Sequence, residues 1–149
     1  MKRFHDTDKW KRPWYRKLSC AEKCAWDYVT SNCDNVGVWV PDFELAEFSI
    51  GERIDWGSFR EKCNSNIEVL SSGYWWLVDF CEFQYGELKD TNNAHISYIR
   101  LLRQHGLYDL YIEYNNRIEG LARGSSAPID KDKDKDKDKD KDKDKDKDK

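Results

Sequence analysis

Residues 42–80, DFELAEFSIGERIDWGSFREKCNSNIEVLSSGYWWLVDF, decide the fold. Asp42 suits the N-cap of a short helix through Phe48, since Glu44 and Glu47 favour its body and Gly51 ends it. A further helix is expected over residues 55–64, where Trp56, Phe59 and Cys63 recur at i, i+3 and i+7 and so share one buried face. Two β-rich runs follow, residues 67–70 and 74–80. Ser71-Ser72-Gly73 between them reads as a hairpin turn.

Working outward, Ser19 stands three residues before Glu22, the spacing of a capping box. Ala21, Cys24, Ala25, Tyr28 and Val29 then recur at helical intervals, which predicts a helix over residues 20–32. Asn35 and Gly37 break it, and Val38-Trp39-Val40 is a strand stub ending at Pro41. Downstream, helices are expected over residues 81–88 and 94–104, the second with Ile96, Ile99 and Leu102 in line before Gly106. A last helix over residues 107–118 would carry Leu107, Leu110, Tyr111, Tyr114 and Ile118 on one stripe. Helix, short strand, helix, helix and hairpin is the order of a winged helix-turn-helix. The expectation is therefore a mainly α, α+β domain over residues 19–118, with additional C-terminal helices. In such folds the third helix usually enters the major groove and the hairpin touches backbone. Winged helices also serve as protein docking modules.

The chain has 149 residues, and from Asp130 onward it alternates Asp and Lys strictly, ten of each. Taking ten from the 26 basic and ten from the 29 acidic residues leaves 16 and 19, so residues 1–129 carry the whole net charge of −3. Such a run has no apolar face and neutralises itself, so residues 119–149 are expected to be a disordered charged linker beginning around Gly120 to Pro128. What remains suits one domain. No apolar run approaches the roughly 18 residues of a membrane span, and the N-terminus lacks the apolar stretch of a secretory signal. These features predict a soluble, cytoplasmic protein with no membrane partner. Five cysteines with no Cys-x2-Cys pair and no nearby histidine pair predict free thiols rather than a zinc site or disulfides. His5, His95 and His105 lie far apart, with no nucleophile elbow or phosphate-binding loop nearby, so neither catalysis nor a cofactor is expected.

Charge is uneven. Residues 1–18 hold seven basic residues and two acidic ones, interleaved with Trp10, Trp14 and Tyr15. This basic aromatic arm makes Lys9, Lys11 and Arg12 candidate phosphate contacts, although its aromatics equally suit packing on the first helix. Residues 42–62 carry six acidic residues and three basic ones. There Arg53, Ser58, Arg60 and Lys62 are the candidate DNA contacts, while Glu61 would repel phosphate.

Trp10, Pro13-Trp14-Tyr15-Arg16-Lys17-Leu18, Asn32-Cys33-Asp34-Asn35-Val36-Gly37-Val38-Trp39, Phe43-Glu44-Leu45-Ala46, Ile50-Gly51 and Phe83-Gln84-Tyr85-Gly86-Glu87-Leu88 resemble the N-terminal region of phage and prophage replication proteins of the replisome-organiser or initiator type. The resemblance covers most of residues 10–107. It implies a winged-helix domain that binds duplex DNA in the cytoplasm of a bacterial host cell, a charged linker after it, and replisome partners such as a helicase or its loader. The alternative is a winged-helix assembly module that binds protein, its acidic second helix facing a basic partner. The resemblance fixes no binding residue and no oligomeric state.

Overall fold

In the computed structural model, which describes residues 1–122, a 3-10 turn (Thr7–Lys11) leads into helices α1 (Pro13–Arg16) and α2 (Cys20–Asn32) and strand β1 (Val38–Trp39). Helices α3 (Phe43–Ile50) and α4 (Trp56–Lys62) follow, then strands β2 (Ile67–Val69) and β3 (Trp75–Leu77). Helices α5 (Phe80–Tyr85), α6 (Asn93–Gln104) and α7 (Tyr108–Ala122) complete the order. The chain divides into a body of residues 1–115 and a second unit, residues 116–149. Within the second unit, residues 116–122 form the end of α7, and the Asp-Lys run lies outside the described residues.

Local chemistry starts and stops the helices of the body. The Ser19 hydroxyl accepts from the Glu22 N–H while the Glu22 carboxylate accepts from the Ser19 N–H, closing the expected capping box on α2. Asp42 accepts from the Leu45 N–H at the start of α3, and Asp55 accepts from the Ser58 N–H at the start of α4. Gly51, with φ +88°, ends α3 in the left-handed region. Several boundaries differ from the sequence reading. Helix α3 runs two residues past Phe48, whereas α4 is shorter than expected. Strand β3 stops at Leu77, because Phe80 already belongs to α5, and α5 ends at Gly86 rather than at Leu88. Ile96 is exposed while Ile99 and Leu102 are buried. Helix α7 passes Ile118, itself exposed, and continues to Ala122.

The three strands form one antiparallel sheet in the order β1-β3-β2. Trp75 lies opposite Trp39 on one side and Val69 on the other; Trp76 lies opposite Val38 and Glu68. Successive side chains point to opposite faces, so β3 feeds two cores. Trp75 and Leu77 pack with Val29, Trp39, Ala46, Phe59 and Cys63 from the α2, α3 and α4 side. Trp76 and Val78 pack with Val36, Val38, Cys81, Leu102, Leu107 and Tyr111 from the side of the C-terminal helices.

Residues 34–37 tie the two cores together. The Asp34 carboxylate accepts from the N–H groups of Val36 and Val38, and its other oxygen lies 2.7 Å from His105 Nε2. The Tyr85 hydroxyl donates to the Asn35 carbonyl at 2.7 Å, and the Trp76 indole donates to the Val36 carbonyl at 3.2 Å. Gly37 has φ +88°, and a Cβ placed there would lie 2.6 Å from Phe80 Cβ and 3.0 Å from the Leu77 carbonyl oxygen. Strain and overlap both forbid a side chain. Gly37→Ala is therefore expected to cost about 2–4 kcal/mol in urea unfolding. Gly51→Ala, at the same φ with open space around it, should cost only about 1 kcal/mol. Equal losses at the two positions would remove the Phe80 overlap as the cause.

Candidate nucleic-acid interface

The sequence nominates two regions for phosphate, and the structure treats them differently. In the N-terminal segment, Lys9 is buried at 7% exposure, its ammonium 5.4 Å from the centroid of the buried Tyr15 ring. The structure thus places Lys9 against the core rather than on an open basic face. A cation over an aromatic face satisfies the charge inside the fold. Lys11 is exposed and lies 3.3 Å from Asp8, and Arg12 lies 3.0 Å from Asp6. Both pairs are local to the N-terminal segment. Tyr15 and Leu18 are core residues, and Trp14 meets Trp26 of α2 edge to face.

Arg3 anchors the start of this segment. Its guanidinium donates to the carbonyls of Thr30 (2.8 Å), Ser31 (3.2 Å) and Cys33 (2.7 Å) and lies 5.1 Å over the Phe80 ring. The end of α2 has no basic residue in its last turn, and Arg3 supplies charge and donors to those carbonyls from far upstream. Phe4 extends the attachment by pairing both backbone polar groups with the Gln84 side-chain amide at 2.9 Å.

In the second region Lys62 also turns inward. Its ammonium lies 2.7 Å from Glu22 Oε1, joining α4 to α2 as the counter-charge of that carboxylate. Burial would raise the Glu22 carboxyl. The hydrogen bonds from Lys62 and from Ser19 outweigh burial and hold it below its ordinary value. Arg53 and Arg60 are exposed, Ser58 is half-buried in the first turn of α4, and Glu61 is exposed beside them. The six carboxylates of residues 42–62 repel phosphate less than their number suggests. Asp42 and Asp55 cap helix N-termini, where the helix dipole offsets their charge, and Glu47 accepts from the Ile54 N–H.

Between α4 and the hairpin turn runs a groove of about 530 Å³. Arg60 and Gly57 line it from α4, Ser72, Gly73 and Tyr74 from the turn, and Phe43 and Trp56 from the aromatic core. Phe43 and Trp56 are in ring contact at 5.0 Å, and each also touches Trp39 and Trp75. The groove wall is thus the outer layer of the core. Sequence reasoning missed Phe43 and Tyr74 as surface elements here. Their signal was their place at the two ends of the region that must converge once β3 pairs with β1. Gly73, with φ +84° and open space around it, keeps the hairpin tip narrow. Of the seven nominated residues, Arg53, Ser58, Arg60 and Lys62 lie on or beside α4, and Arg60 lines the groove together with the hairpin turn.

No protein-family model, curated protein or solved structure matches this chain. Among the described residues, no helix is long and apolar enough to cross a membrane.

Replacing Lys62 with Met leaves Glu22 nearly buried without its counter-charge and is expected to cost about 1–3 kcal/mol. The Glu22 carboxyl is depressed in the folded state, so its contribution is complete above the unfolded value of about 4.3 and falls away as pH drops through the folded value. Denaturant midpoints from pH 7 down to pH 3 should show a shallower acid decline in Lys62→Met than in the wild type. Parallel curves would count against the pair as a source of stability.

Proposed function

We propose that the body is a winged-helix DNA-binding domain of a phage-type replication protein, acting in origin recognition or replisome organisation. The order α2, β1, α3, α4, β2, β3, with β3 between β1 and β2, supports the winged-helix reading. The observation that carries the DNA reading is the groove between α4 and the hairpin turn, with Arg60 on its wall and Arg53 exposed ahead of α4. In this reading α4 enters the major groove, and Arg53 and Arg60 meet phosphate. The hairpin turn rests on the backbone beside them. Ser58 is the side chain placed to meet a base edge. A seven-residue helix that also presents Glu61 makes few contacts. Binding is therefore weak and mainly electrostatic. The replication role rests on the resemblance of the sequence motifs, and it makes a helicase or its loader the natural partner.

Fluorescence anisotropy on labelled duplex and single strands, over a salt series, tests the DNA reading. Replacing Arg53 and Arg60 together with Ala should weaken binding on all sequences and flatten the slope of log K against log salt by about 1.8, from two phosphate contacts. Replacing Ser58 with Ala should change preference between sequences more than slope. Lys11→Ala should change the slope by well under one unit. Absence of binding to either form at low salt would remove DNA in favour of the assembly module.

A further inference from the structure

The outward side of α3 is apolar and acidic at once. Leu45 and Phe48, one helical turn apart, are 51% and 86% exposed, and Val40 just before the helix is 57% exposed. Residues 41–52 contain Asp42, Glu44, Glu47 and Glu52 and no Lys or Arg. The inner side of the helix already uses Ala46, with Ile50 packed against the same core. Arg53, exposed, follows directly. A lone exposed apolar residue needs no explanation, but a Leu-Phe pair on one helix with a mostly acidic rim is the composition of a contact surface.

The N-terminal segment is its complement. Residues 1–23 hold eight basic residues and three acidic ones; Arg3, Lys9, Lys11 and Arg12 are engaged within the fold, and Lys2, Arg16 and Lys17 are exposed outside those contacts. Phe4 is 73% exposed and Trp10 57% exposed, with Arg16 and Lys17 exposed and the Lys23 ammonium 5.4 Å over the Trp10 ring. The two surfaces leave different sides of α2. Trp14 of the N-terminal segment meets Trp26, whereas Tyr28 meets Trp39, which in turn meets Phe43 of α3. Residues 26 and 28 lie about 200° apart around a helix. One chain therefore cannot bring its own acidic α3 surface onto its own basic segment. Two chains can.

We propose that the α3 surface of one copy binds the N-terminal basic-aromatic surface of a second copy. Leu45 and Phe48 pack on Trp10 and Phe4, and Glu44 and Glu52 face Arg16 and Lys17. The contact joins unlike surfaces, so it propagates head to tail unless the rotation between copies closes a ring. It does not rest on the DNA reading, which uses Arg53 and Arg60.

Sedimentation velocity on the full chain, over a concentration series at low and high salt, tests the proposal. The expected result is association beyond the dimer that weakens as salt rises. Phe48→Asp should weaken it by about tenfold or more, and Trp10→Ser with Lys17→Glu should do the same. Mixing those two proteins is the decisive arm. Each retains one intact surface, so the mixture should form a one-to-one dimer and nothing larger. Circular dichroism melting confirms that each variant is folded. If the Trp10 and Lys17 double variant melts early, Lys17→Glu alone takes its place, and adding Glu44→Lys to it should restore association. A monomer at every concentration overturns the proposal, as does association unchanged by Phe48→Asp. Loss in Phe48→Asp with no loss in the N-terminal variant points to a symmetric contact of α3 on α3 and overturns it too.

Discussion

Strand β3 is paired along both edges and buried on both faces, and every larger element of the body is arranged around that condition. A strand with one wet face alternates apolar and polar residues, whereas one covered on both faces reads as a continuous apolar run. Trp75-Trp76-Leu77-Val78 is such a run. Its odd-numbered members hold the core shared with α2, α3 and α4; its even-numbered members hold the core shared with the C-terminal helices. The aromatic members of the first core meet at centroid separations such as 5.0 Å for Phe43 and Trp56 and 5.3 Å for Trp39 and Trp75. Aromatic pairs of this kind contribute about 0.5–1.5 kcal/mol each beyond the area they bury. Because the same rings reach the groove beside α4, the shape of that groove is set by core packing rather than by a mobile loop.

The turn at Asp34 to Gly37 is where this condition meets the chain. It leaves α2, enters β1, and passes so close to Phe80 that only glycine fits. Its free polar groups are taken by side chains from β3, α5 and the end of α6. The buried thiols nearby are part of the packing. Burial pushes Cys33 up to about 11 and Cys81 to about 12, and Cys63 under α4 also to about 12. At neutral pH they are protonated and behave as small apolar side chains.

Helix starts were legible because capping is a local rule: Ser19 and Asp42, read as caps, each bond to a backbone N–H three residues on, and Asp55, read only as the first residue of its helix, does the same. The hairpin was legible from Ser71-Ser72-Gly73 for the same reason. Long-range pairing was not. Nothing in its spacing says that Lys62 meets Glu22 or that Lys9 lies over Tyr15, so both were read as surface charge. Arg3 left a weaker trace, since α2 ends without a basic residue in its last turn and some distant donor had to serve its carbonyls. Ile96 shared a stripe with Ile99 and Leu102, yet periodicity cannot say where along a helix its neighbour ends. For the candidate site, Arg53, Ser58 and Arg60 could be nominated from position, whereas the groove itself required the pairing of β1 with β3.

The double burial of β3 also has a meaning in time. A chain leaving the ribosome completes the hairpin before Leu102, Leu107 and Tyr111 exist to cover Trp76 and Val78. At about 5–20 residues per second, the interval from Trp76 to Tyr111 lasts roughly two to seven seconds, during which one face of the sheet is bare. The first core can close in that interval, because its members all precede Tyr85 or include it. The N-terminal two-thirds of the body is thus born as an amphipathic layer, sticky on one side, and the C-terminal helices act as its cover.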